Sequence, residues 1–463
     1  MSRLSAVLAH IDEQHENALN RLFDLLKIKS ISTDSAYTND CLKAADWLVD
    51  ELGTIGMSAS RRDTPGHPMV VAHTEHQPGL PHVLFYGHYD VQPVDPLELW
   101  DREPFDPAIE ETPEGSVIRA RGAADDKGQL MTFVEACRAW KETTGTLPVN
   151  ITVLFEGEEE SGSPSLVPFL EANSKELSAD LALVCDTGMW NSETPAICTM
   201  LRGLLGEEIT ITAADKDLHS GMFGGPSANP VRVLAKILAG LHDDDGRITI
   251  ENFYQDVEQL PALIKEQWNG LGFDEQEFLG AVDLSVNAGE SGYSPLEQLW
   301  SRPTCEFNGI QGGYTDEGFK TVLPSKANAK VSFRLVGEQD PVAIRENFRN
   351  YIRQNLPADC TVEFEDHGAS PATVMSIDDP AFERARSALS DEWNKDAVYT
   401  GCGGSIPVVG YFKEILQMNS LLIGFGLDDD QIHSPNEKYN MQSFCKGIRS
   451  WARVLDTLAN ATP

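Results

Sequence analysis

No stretch of this sequence approaches the roughly 18 consecutive apolar residues that a membrane-spanning helix needs. Basic residues are scarce: 36 Lys and Arg stand against 72 Asp and Glu, a formal net charge of −36. A surface of that sign repels phosphate backbones and anionic lipid, which argues against nucleic acid or a membrane as partner. Cysteine occurs eight times (Cys41, Cys137, Cys185, Cys198, Cys305, Cys360, Cys402, Cys445), never at a paired spacing. The thiols therefore read as reduced and mostly buried as small hydrophobes, in a cytoplasmic protein. The first thirty residues carry acids at amphipathic spacing, not the basic start and apolar core of a secretory signal. Internal repeats and low-complexity linkers are missing as well.

What is present is an alternation of apolar runs and helical patterns. At 463 residues the chain exceeds one ordinary core, so two domains are predicted. Met69 to Ala72, Val83 to Tyr86, Val149 to Phe155 and Leu181 to Cys185 read as buried strands, with a helix from about Asp126 to Trp140 between them. This order predicts an α/β domain with a largely parallel central sheet flanked by helices. From about Leu201 the texture changes. Glu207 to Thr212 and Asn328 to Leu335 alternate polar and apolar, Thr361 to Phe364 is a third candidate, and Pro230 opens an amphipathic helix. Those features predict an inserted α+β lid or dimerisation domain with an antiparallel sheet. The expected division is 1–202, 203–372 and 373–463, the last segment completing the first domain.

Chemistry gathers where the apolar runs end. His88 follows the run Val83 to Tyr86, Glu158-Glu159-Glu160 follow Phe155, and Asp186 follows Cys185. Asp125 stands in Arg121-Gly122-Ala123-Ala124-Asp125-Asp126-Lys127-Gly128, and His433 comes after the run Leu421 to Phe425. Sites of open α/β sheets lie at the carboxyl ends of strands. Carboxylates crowded there resist desolvation unless something positive compensates them. Mixed imidazole and carboxylate donors suit zinc, with manganese or cobalt as alternatives. Five ligands exceed the need of one catalytic ion. Two ions sharing Asp125 would use them all, His88 and Asp186 on one, Glu160 and His433 on the other. Two cations about 3.5–4 Å apart activate a water and polarise a carbonyl. Spacing alone leaves open how Glu159 and Glu160 divide their roles.

His88-Tyr89-Asp90, Gly122-Ala123-Ala124-Asp125-Asp126-Lys127-Gly128, Glu158-Glu159-Glu160-Ser161-Gly162-Ser163 and His433-Ser434-Pro435-Asn436-Glu437 occur in order along nearly the whole chain. Together they resemble the zinc metallopeptidases that include carnosinases, acetylornithine deacetylase, succinyl-diaminopimelate desuccinylase and glutamate carboxypeptidase. Asp217-Leu218-His219-Ser220-Gly221, Lys320-Thr321-Val322-Leu323-Pro324, Phe333-Arg334-Leu335-Val336 and Gly403-Gly404-Ser405-Ile406-Pro407 are similar to the carnosinase-like dipeptidase branch. The resemblance implies that Glu159 is the general base and Glu160 the ligand, with Glu158 merely acidic surface. It implies that Asp90 orients His88, and that the Asp125–Asp126 peptide is cis. It further implies that His219 stabilises the oxyanion from across a homodimer interface, while Arg334, Gly403, Gly404 and Ser405 bind a substrate carboxylate. The expected activity is amide hydrolysis of dipeptides or similar small carboxylate-bearing amides by a two-zinc exopeptidase. An N-acyl-amino-acid deacylase or desuccinylase on the same site is the alternative, and a metal-binding protein without catalysis is a third reading. Thr400-Gly401-Cys402 departs from the charged residues common in that branch, which leaves the substrate pocket open.

Overall fold

The structure is a computed structural model that describes residues 2–460. The chain folds into two compact units, Met1–Thr199 with Met375–Thr400 and Tyr411–Pro463, and Met200–Val374 with Gly401–Gly410. The segment Gly401–Gly410, expected with the C-terminal part of the first domain, thus groups with the second unit. Arg202 holds it there: its Nε donates to Gly403 O at 2.9 Å and its backbone N–H to Gly404 O at 3.1 Å.

In the first unit one sheet runs in the order Ser58–Arg62, Met69–His73, Asn150–Glu156, His82–His88, Leu181–Val184, Ser420–Leu422, Ala196–Leu201. The four strands from Asn150–Glu156 to Ser420–Leu422 are parallel, and the flanking pairs are antiparallel. Asn150–Glu156 is buried at every position, as a strand covered on both faces must be. Against it lies Lys127–Thr144, a helix buried continuously from Lys127 to Trp140. Phe85 stacks on Phe133 with ring centroids 3.7 Å apart, and Trp451 of helix Met441–Ala459 meets both edge-on. The helix ends at Gly145, whose left-handed backbone (φ 79°) lets its N–H reach Lys141 O. It begins directly after Asp125 and Asp126, where unpaired N–H groups favour negative charge.

A small antiparallel sheet decides where the chain's last candidate donor, His433, goes. Lys438–Asn440 pairs with Gly115–Arg119 in the register Lys438 to Arg119, and Ala108–Thr112 completes it. That register brings the residues just before Lys438 alongside those just after Arg119.

The second unit carries a four-stranded antiparallel sheet in the order Thr304–Gly312, Lys326–Leu335, Gly203–Thr212, Thr361–Ser370. Helices Pro230–Ala239 and Pro341–Asn355 cover one face, packing Leu234, Ile237, Phe348 and Ile352 on Leu205, Ile209, Val331 and Phe333. Glu207 is buried on the same face, where the Arg349 guanidinium grips it bidentately at 2.8 and 2.9 Å. Alternation along Gly203–Thr212 and Lys326–Leu335 leaves the other face half-buried, as a one-sided sheet requires. Thr304–Gly312 has no counterpart among the expected strands. It is mostly exposed and has a bulge between Phe307 and Gly309, so its sequence shows no clean period of two.

Candidate metal centre

Three neighbouring parallel strands deliver their loops to one end of the sheet. His88 is the last residue of His82–His88, the turn Glu159–Ser161 follows Asn150–Glu156, and Asp186 follows Leu181–Val184. His433 and Asp125 meet because of the Lys438 to Arg119 register. The result is two donor triads, His88 with Asp125 and Asp186, and Asp125 with Glu160 and His433, each with its donor atoms within 4.8 Å of one another. Asp125 belongs to both and divides its oxygens between them. His88 Nε2 lies 3.1 Å from Oδ1, and His433 Nε2 lies 2.9 Å from Oδ2 and 3.2 Å from Glu160 Oε2.

The electrostatics are those of an anionic cage. Burial pushes the Asp186 carboxyl well above its ordinary range; His88 opposes this, while Asp125, Glu159 and Glu160 add to it. Glu159 is raised by burial in the same way, against the pull of His88, with Glu160, Asp125 and Asp90 contributing. Asp125 is the exception. Burial works to raise it, but hydrogen bonds from His433 and His88 hold it low. Carboxylates pushed up by burial and mutual repulsion are stabilised by any cation placed among them. The mixed N and O donors, in two sets joined by one carboxylate, fit a pair of small divalent ions.

Around the donors is a layer that fixes them. His88 Nδ1 is 3.2 Å from Asp90 O and 3.4 Å from its Oδ1, which leaves Nε2 for the donor cluster. The Asp90 carboxylate also accepts the backbone N–H groups of Glu159 and Glu160, at 3.3 and 3.1 Å. One buried acid therefore sets both the imidazole and the turn that carries the glutamate pair. Gln92 Nε2 donates to Glu160 Oε2 at 2.7 Å. The peptide between Asp125 and Asp126 is cis.

Glu437 escapes the sequence reading although it closes the His433 motif. It is fully buried and accepts from the N–H groups of Gly122, Ala124 and Asp125 at 2.9, 2.9 and 3.1 Å, and from Arg121 Nη1 at 2.7 Å. Arginine beside glycine and alanine, in a chain short of basic residues, was the available signal. Glu158 corrects an expectation. It is not acidic surface but 3% exposed, and its carboxylate accepts from His67 N at 2.9 Å and Ser165 N at 3.2 Å.

Gly157 is required by packing. Tyr89 Oη donates to Pro68 O at 2.6 Å, and a Cβ on Gly157 would stand 2.2 Å from that oxygen. Gly157→Ala should cost about 1–3 kcal/mol, the range for overpacking, and lower activity by displacing the glutamate turn. Urea denaturation checks it; a wild-type midpoint would contradict the steric argument.

The remaining expected site residues belong to the second unit. His219 is exposed in the short pairing with Val322, and its Nδ1 accepts the Gly221 N–H at 3.0 Å. In the neutral ring this leaves the proton on Nε2, a donor. Arg334 stands on the half-buried face of its strand, paired with Thr304 and Leu204. Gly403, Gly404 and Ser405 lie in the segment that Arg202 holds.

Residues 84–457 match the model of peptidase family M20/M25/M40. The chain belongs to that family. It is 29% identical over 468 residues to the Cys-Gly metallodipeptidase dug1 of Schizosaccharomyces pombe, with 98% of each chain covered. To the human Beta-Ala-His dipeptidase it is 27% identical over 469 residues, covering 97% of this chain and 91% of the other. Among solved structures, the M20 family metallo-carboxypeptidase Sso-CP2 from Sulfolobus solfataricus superposes with a TM-score of 0.81 at 30% identity, over 96% of this chain and 99% of that one. Within the family this M20 protein sides with the carnosinase-like dipeptidases, and it is a metal-dependent exopeptidase. No described helix is long and apolar enough to cross a membrane.

Proposed function

We propose that this M20 peptidase hydrolyses dipeptides and similar small amides that bear a free carboxylate. The observation that carries the reading is the pair of donor triads sharing Asp125, with Glu159 beside them on the same turn. His88 and Asp186 would hold one divalent cation and Glu160 and His433 the other, with Asp125 common to both. Zinc is the ion we assign, with manganese or cobalt as substitutes. When bound, the two ions supply Lewis acidity to the scissile carbonyl and acidity to a water.

The chain's own residues do the rest. Glu159, its carboxyl raised by burial and its acidic neighbours, takes the proton of the attacking water on a carboxylate oxygen. It then gives that proton to the leaving nitrogen, so an acid and an amine depart. Asp90 keeps His88 in one orientation and Glu159 on its turn. Arg334, as a planar bidentate donor, holds the substrate carboxylate, and Gly403, Gly404 and Ser405 let backbone approach it. His219 donates from Nε2 to the developing oxyanion. We further propose a cytoplasmic homodimer in which His219 serves the partner's site; eight thiols without a disulfide support the reducing compartment.

Chelator-treated protein should lose hydrolysis of X–Y dipeptides and regain it on addition of zinc, manganese or cobalt. Full activity in the metal-free protein would end the reading. A panel of dipeptides and N-acetyl or N-succinyl amino acids separates peptidase from deacylase, and turnover of acylated amino acids alone would overturn the dipeptidase assignment.

A further inference from the structure

The second unit contains a cavity of about 420 Å³ on the half-buried face of its sheet, within the range of small-molecule sites. Its floor includes Arg334 on strand Lys326–Leu335, and Arg202 enters at the start of the neighbouring strand Gly203–Thr212. Helices Glu275–Gly280 and Pro295–Trp300 form a wall with Phe278, Leu279 and Leu299.

Two features of this cavity point to a ligand of one chemistry. Among the described residues neither Arg202 nor Arg334 makes an ion pair, in a chain whose acids outnumber its bases two to one. The Glu306 and Glu275 carboxylates also line the cavity without pairing to either guanidinium. Arg202 is 9% exposed, and its only side-chain bond runs from Nε to Gly403 O. Its two terminal amino groups make no hydrogen bond to another described residue. A Cβ on Gly403 would sit 3.2 Å from Nη2, so a side chain there would crowd the guanidinium. Burial first, and then the nearby Arg334, push the Arg202 guanidinium down to about 10, against the weaker pull of Cys402 and Glu306. A buried guanidinium without a carboxylate partner, with a second half-buried one beside it, calls for an anion. The second feature is the apolar wall, which adds a place for hydrocarbon next to that anion.

We propose that Arg202 is a second positioning residue for the substrate carboxylate, and that Phe278, Leu279 and Leu299 make the cavity select an apolar carboxyl-terminal residue. The proposal rests on the amide-hydrolase reading above, and narrows its substrates to those ending in residues such as leucine, methionine or phenylalanine. Carboxylate and side chain of one residue are held together: the arginines fix the first, and the wall buries the second. An aspartate or glutamate side chain would lose the hydrophobic contribution, and a glycine would leave the wall unfilled.

The test uses the metal-loaded, full-length protein. kcat/KM for Ala-Leu should exceed that for Ala-Gly and Ala-Asp by roughly tenfold or more, the range for methylene-level discrimination in an apolar pocket. Leu279→Asp should remove most of that preference. Arg202→Gln should lower the ratio of kcat/KM for Ala-Leu over its carboxamide roughly tenfold, through KM, and Arg202→Lys should restore part of it. If Arg202→Gln depresses acid and amide equally, Arg202 only supports the loop, and that part of the proposal is overturned. Equal turnover of Ala-Leu, Ala-Gly and Ala-Asp overturns the other part. Titration of the protein with leucine, glycine and aspartate by calorimetry reads the cavity without catalysis. Tighter binding of leucine sustains the selectivity even if no amide is cleaved; equal or absent binding refutes it.

Discussion

Glutamine in place of Glu159 should leave metal content and fold intact while lowering kcat by roughly 10²–10⁴-fold, the contribution of a positioned general base. The side chain stays the same size, and the turn is held from the backbone by Asp90 through the Glu159 and Glu160 N–H groups. What disappears is the ability to accept a proton. Burial and the neighbouring acids raise the Glu159 carboxyl, which suits a base that must later return the proton. Glu160→Gln provides the contrast, because that side chain lies among the His433 and Asp125 donors and its loss should lower bound metal. Elemental analysis alongside steady-state rates separates the two variants. A Glu159→Gln protein with wild-type turnover would move the base elsewhere.

The largest effect on stability should come from Glu437→Ala. Arg121 would be left as a buried cation without its counter-charge, and three backbone N–H groups would lose their acceptor. Breaking a buried pair from one side costs about 3–5 kcal/mol. Because the freed N–H groups belong to the loop carrying Asp125, metal affinity should fall as well. Urea denaturation with a metal titration checks both. A stability loss below about 1 kcal/mol, the range of an exposed pair, would show that Arg121 finds another partner.

Much of this was legible in the chain, for reasons that differ by element. Parallel strands buried on both faces leave unmistakable apolar runs, and their carboxyl ends are where α/β sheets place chemistry, so His88, Glu159, Glu160 and Asp186 stood out. His433 was legible by its place after the run Leu421 to Phe425 and in a motif, although nothing local predicts its left-handed backbone (φ 63°). Long-range hydrogen bonds were not legible at all. Glu158 looks like one acid in a run of three, and its burial follows from amides of His67 and Ser165 that fold back on it. Arg202 could be seen as a texture boundary but not as a cavity residue, because Arg334 reaches the same cavity from a strand more than a hundred positions later. The resemblance ties Asp90 to His88 alone, and its grip on the glutamate turn depends on three-dimensional closeness that spacing does not encode.

The carboxylate that closes the Asp125 loop lies 312 positions after the amide it binds. A ribosome therefore finishes Asp125 long before it reaches the acceptor that holds it, and the whole inserted unit is translated in between. A nascent or prematurely terminated chain has Asp125, Asp126 and His88 but no clamp, so the Asp125 loop gains its acceptor only with the last stretch of synthesis.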